Sequence, residues 1–121
     1  MENGNLCRAL KLVHEVLEEY REENRPLNIA ELCRRMGIQP KMYQPKNANP
    51  GQSYLLDGQP VILVSEKEPI DRQRQICAHE LGHVLLGHVG AWGEVPDRSD
   101  LPREEREREA EGFAEECLLL L

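Results

Sequence analysis

The run His79-Glu80-Leu81-Gly82-His83 holds the side-chain types that bind a metal ion and use it. On a helix, residues four apart share a face, so both imidazoles can reach one cation. Glu80 is displaced by one position, where its carboxylate can address a water on that cation without ligating the metal. The chemistry is metal-assisted hydrolysis, which needs a third protein ligand and one open position. Ile76, Cys77, Leu81, Val84 and Leu85 give the same segment an apolar side. Two histidines and a glutamate placed there need polar partners.

A third histidine at HExxHxxGxxH spacing is ruled out, because that template needs Gly at 86 and His at 89, where the chain has Leu86 and Val89. A glutamate from a later helix is the alternative. Ala110, Phe113, Ala114, Cys117, Leu118 and Leu121 repeat as one apolar helix face. Extended back one turn, that face reaches Glu107, a carboxylate that a metal would neutralise. Glu107 is therefore the expected ligand, with Glu104 and Glu111 beside it as fallbacks. Glu111 is alternatively an acceptor for the free N–H of His79. Glu105, Glu109, Glu115 and Glu116 are expected on a solvated face laced with arginines.

The elements that must position these residues follow from periodicity and punctuation. Leu6, Leu10, Val13, Leu17 and Tyr20 form an amphipathic stripe, with His14 just off it at the surface. Asn28 caps a second helix, Glu31 completes a capping box, and Gly37 ends it. Ile29, Leu32, Cys33 and Met36 are its buried face. Residues 39–51 read as a proline-rich loop with a short strand near Met42-Tyr43. Tyr54-Leu55-Leu56, the turn pair Asp57-Gly58 and Val61-Ile62-Leu63-Val64 make a hairpin, its second strand buried. Pro69 and Asp71 open the HExxH helix, which runs to about Gly87. A loop over residues 88–102 precedes the acidic C-terminal helix.

Composition narrows the function classes. The net charge is −7, and between Glu94 and Glu116 ten acids meet only four arginines. No basic face for nucleic acid is present, and anionic membranes would repel the chain. Neither a signal region after Met1-Glu2-Asn3-Gly4 nor a run of about 20 apolar residues is found. Cys7, Cys33, Cys77 and Cys117 include no CxxC pair, and three fall at apolar helix positions; they read as reduced thiols of a cytoplasmic protein. Residues 1–121 are expected to form a single domain of α+β class.

The segments Cys77-Ala78-His79-Glu80-Leu81-Gly82-His83 and Glu107-Arg108-Glu109-Ala110-Glu111-Gly112-Phe113-Ala114 resemble the AHELGH run and the ExxAN-x-FA helix of the ImmA/IrrE family of zinc metallopeptidases. Glu111 stands where the family usually has Asn. The resemblance implies a minimal zincin-like domain: N-terminal helices, a small sheet, the HExxH helix and a C-terminal helix bearing the glutamate ligand. It implies one zinc per chain on His79, His83 and Glu107, with Glu80 catalytic. It also implies a protein substrate, a helix-turn-helix repressor. An extended peptide is expected to pair beside the Val61–Val64 strand. Tyr54, His88 and Trp92 are candidates to touch substrate or the oxyanion. Equally, Tyr54 reads as a hairpin packing residue, His88 as a surface residue and Trp92 as a loop anchor.

Two other classes compete. Ile29 to Ile38 resembles the first helix and turn of a DNA-binding helix-turn-helix, but Pro40, Pro45 and Pro50 interrupt the recognition helix it would need. A zinc-stabilised module that inactivates a repressor by binding alone would carry the same metal motif.

Overall fold

The structure is a computed structural model that describes residues 2–22, 27–90, 92–93 and 95–121; the side chains of residues 2–6, Leu6 among them, lie outside the description. Among the described residues, four helices and a three-stranded sheet make an α+β architecture. In chain order they are α1 (Glu2–Tyr20), α2 (Ile29–Arg35), β1 (Pro40–Tyr43), β2 (Gly51–Leu56), β3 (Gln59–Ser65), α3 (Ile70–Leu85) and α4 (Arg103–Leu120).

On α1 the buried face is Ala9, Val13, Val16 and Leu17, while Leu10 and Tyr20 are only partly covered. The stripe is thus turned from the one expected, because a count of large apolar residues overlooks a small one such as Ala9. Asn28 caps α2 by accepting from the Glu31 N–H at 2.8 Å. The Glu31 carboxylate pairs with Arg34 and, at 3.4 Å, with Arg35. After Gly37 the chain enters β1 instead of a second helix of a DNA reader.

Strand β1 starts at Pro40, two residues before the expected Met42; at the first position of an edge strand a proline removes no needed ladder bond. The sheet order is β1-β3-β2. β1 runs parallel to β3, with Pro40 opposite Ile62, and β2 runs antiparallel, with Tyr54 opposite Val61. Asp57 and Gly58 close the hairpin with φ of 52° and 78°, as a type I′ turn requires. Both edges of β3 are taken, so the expectation that a peptide pairs along Val61–Val64 is corrected: among the described residues the open edges belong to β1 and β2. β3 is also not buried on both faces, since Ile62 and Val64 are covered while Val61 and Leu63 are half-buried.

Helix α3 touches β2, β3, α2 and α4, and α1 packs on α4. Phe113, Leu32, Ile38, Ile62, Leu81, Leu86 and Val84 fill the core between them. Two bare backbones set the key distances. A Cβ on Gly82 would lie 3.2 Å from the Ala110 Cα, so α3 and α4 meet nearly backbone to backbone. On the other side, a Cβ on Gly51 would lie 2.4 Å from the Ile76 Cγ2 and 3.4 Å from the Glu80 Cγ. Strand and both helices thus converge on one stretch of α3. Among the described residues no helix is long and apolar enough to cross a membrane. Cys33, Cys77 and Cys117 are buried free thiols and Cys7 is exposed; Cys33 Sγ and Cys77 Sγ stand 3.9 Å apart.

Candidate functional site

A cleft of about 1170 Å³ lies against the middle of α3, lined by β2 from Gly51 to Tyr54 and by the inner edge of α4. His79 and His83, one turn apart, point their Nε2 atoms together at 3.1 Å. The Gly82–Ala110 approach brings Glu107 over them. Its Oε2 is 2.8 Å from His79 Nε2 and its Oε1 is 3.3 Å from His83 Nε2. The three donor atoms converge on one point, slightly closer together than the roughly 3.3–3.6 Å between ligands of a tetrahedral cation bound at about 2.0–2.2 Å. The donor set therefore fits a metal, and each of His79, Glu80 and His83 offers a ligand-type atom within 4.8 Å of the others.

Glu107 does not sit deep in the core. Its side chain is 48% exposed, at the rim of the α4 apolar face where that face opens on the cleft. Glu111 is one turn further along, its Oε2 3.1 Å from His79 Nδ1. The structure thus brings His79, His83, Glu80, Glu107 and Glu111 together, whereas Glu104 is exposed and is absent from the cleft lining. Tyr54 is 40% exposed on the cleft wall. Trp92 packs against the core from the loop after α3.

His88 is placed differently from any surface role. Its side chain is 1% exposed, at the floor of the cleft, with Nδ1 2.9 Å from His83 Nδ1 and Nε2 2.7 Å from Glu109 Oε1. Glu109 corrects the expectation of a solvated residue: it is fully buried and paired with Arg8 at 3.1 Å. On a helix Glu109 and Phe113 are only about 40° apart, so Glu109 belongs to the opposite margin of a broad buried arc. That arc is broad because α4 is packed by α3 and also by α1. The apolar stripe alone marked only its centre. Ser53 and Gly51 were also overlooked; nothing in a short polar strand start flags a residue that packs on α3.

Electrostatics follows burial. Burial pushes the Glu80 carboxyl up, against the downward pull of the Ser53 hydrogen bond and His79. Burial pushes the His83 imidazole down to about 4, with Glu107 opposing and the neighbouring histidines assisting. His88 is lowered by burial as well, against its bond to Glu109. For Glu107 burial works upward, but His83 and His79 outweigh it and hold the carboxyl low.

An α+β domain with an HExxH group on its central helix, opening on a strand-lined cleft, is a metallopeptidase-like domain. The IrrE N-terminal-like domain of peptidase family M78 matches residues 33–120, well over half the chain, and the chain belongs to that family. Among curated proteins none matches it. Membership implies peptidase chemistry and a protein substrate.

Proposed function

We propose that the protein is a zinc-dependent endopeptidase whose substrate is a helix-turn-helix transcriptional repressor, with one zinc per chain held by His79, His83 and Glu107. The observation that carries the ligand set is the meeting of Glu107 with both Nε2 atoms, at 2.8 and 3.3 Å. When bound, zinc supplies a Lewis acid that polarises the scissile carbonyl and acidifies water. Glu111 accepts from the Nδ1–H of His79 and would leave the Nε2 of that ring free for a metal.

The protein's own groups do the rest. An extended peptide pairs with the free edge of β2, alongside the Gly51–Tyr54 wall, by strand addition. Tyr54 stands where it can contact the chain so bound. Glu80 removes one proton from the attacking water and delivers it to the amine that leaves when the C–N bond breaks. Burial makes that carboxylate a better proton acceptor than an exposed one, which suits the first half of the transfer. Ser53 fixes the carboxylate orientation from β2, so substrate strand and proton carrier share one support.

The test uses the purified protein and Glu80→Gln with purified helix-turn-helix repressors as trial substrates, read by intact-mass spectrometry and zinc content. The expected result is cleavage at a defined bond by the wild type alone, with zinc retained by both. Equal loss of repressor DNA binding with both proteins, and no cleavage by either, would replace the peptidase with a binding module.

A further inference from the structure

We infer that His88, Glu109 and Arg8 form a relay, buried at His88 and Glu109, that positions His83, fixing which of its ring nitrogens carries the proton; the role rests on the metal-site reading above. The relay begins where α3 ends. The Gly87 N–H donates to the Val84 carbonyl at 3.2 Å and the His88 N–H to the His83 carbonyl at 2.9 Å, a Schellman ending. Gly87 holds φ +79°, and a Cβ there would lie 2.1 Å from the Pro96 carbonyl oxygen, so the turn admits only glycine. It folds the chain back and sets the His88 ring under that of His83, centroids 5.1 Å apart.

From there the bonds run outward in one line. His83 Nδ1 meets His88 Nδ1 at 2.9 Å, and His88 Nε2 meets Glu109 Oε1 at 2.7 Å. Glu109 Oε2 accepts from Arg8 Nη1 at 3.1 Å, and Arg8 Nη2 donates to the Leu86 carbonyl at 2.9 Å. Arg8 thereby ties α1 to the same turn that placed His88.

The polarity of that line is constrained. A carboxylate only accepts, so His88 must donate through Nε2. One proton lies between the two Nδ1 atoms. If His88 supplied it, His88 would be a buried cation beside a Glu109 charge that Arg8 already balances, which is costly. His83 would then carry its proton on Nε2, the atom that faces Glu107 and His79. If His83 supplies it, Nε2 is a bare lone pair aimed at the metal position. Only the second arrangement avoids a buried cation at His88 and leaves His83 able to ligate. The two histidine ligands are thus oriented by unlike devices: His79 by Glu111, whose side chain is 61% exposed, and His83 through His88 and Glu109, both sealed from water.

The test has two readouts. Imidazole nitrogen NMR on the metal-free wild type should show His83 as the Nδ1–H tautomer; an Nε2–H tautomer would overturn the relay. Zinc affinity by chelator competition should fall about 10–100-fold in His88→Phe. His88→Asn, whose Oδ1 takes the place of Nδ1, should recover part of that loss. Glu109→Gln, one bond further out, should weaken zinc less and serves if His88→Phe does not fold. A folded His88→Phe or Glu109→Gln that holds zinc within about twofold of wild type would overturn the relay. Wild-type protein that binds no zinc would instead overturn the metal-site reading, while the tautomer still reports on the relay.

Discussion

His88 Nε2 and Glu109 Oε1 lie 2.7 Å apart with both side chains closed to water. Twenty-one positions separate them, and the contact joins the turn after the HExxH helix to the helix that bears Glu107. It holds together the two elements whose relative placement the metal site depends on.

Removing the acid at that contact should therefore unfold more than a surface glutamate could. Glu109→Ala leaves Arg8 and His88 without their shared partner, and breaking a buried pair in this way costs about 3–5 kcal/mol. Arg8→Ala should also be costly, since it leaves the fully buried Glu109 carboxylate without the cation that balances it, whereas Arg8 itself is 29% exposed and within reach of water. Urea unfolding of both variants measures the loss; a Glu109→Ala protein as stable as wild type would contradict it.

The fit of β2 against α3 yields a second expectation. Gly51→Ala places a methyl on the Ile76 Cγ2, an overpacking that costs about 1–3 kcal/mol and pushes Ser53 away from Glu80. Peptidase activity should fall while zinc stays bound. Ile76→Ala removes the obstructing methyl, so the double variant should regain activity lost by Gly51→Ala alone. Additive losses in that cycle would show that the two residues do not compete for space.

Acid should weaken the metal-free protein in a defined window. His83 titrates near 4 in the folded chain against an ordinary 6.5, so between those values only the unfolded chain takes up the proton. Stability is then full above about 6.5 and declines as pH falls toward 4. Glu80, shifted upward, binds its proton more readily when folded and offsets part of the decline at the acid end. Urea midpoints in chelator should be lower at pH 5 than at pH 7, and His83→Asn should flatten the difference. Equal midpoints in the wild type would contradict the buried, neutral imidazole.

Much of this was legible in the chain itself. HExxH spacing placed His79, Glu80 and His83 on one side of α3, and Asp57-Gly58 gave the hairpin, because both signals are local. Glu107 and Glu111 were reachable from the phase of one apolar face. What stayed hidden depended on a second partner. Glu109 looks solvated when α4 is weighed against α3 alone and becomes buried once α1 crosses it with Arg8. The β1-β3-β2 order, which moves the open edge from β3 to β2, rests on a pairing between distant segments that no local pattern encodes. Gly87 followed by His88 did carry a trace of the relay, since a glycine stop folds the next residue back on the helix end.

The central claim is that the acidic helix completes a zinc site through Glu107. Zinc affinity of Glu107→Ala, Glu104→Ala and Glu111→Ala, measured side by side against a competing chelator on folded protein, tests it most directly. Glu107→Ala should lose most of the affinity, Glu111→Ala about 10–100-fold through the loosened His79 ring, and Glu104→Ala almost none. Affinity abolished by Glu104→Ala or Glu111→Ala, with Glu107→Ala still binding zinc tightly, would contradict it.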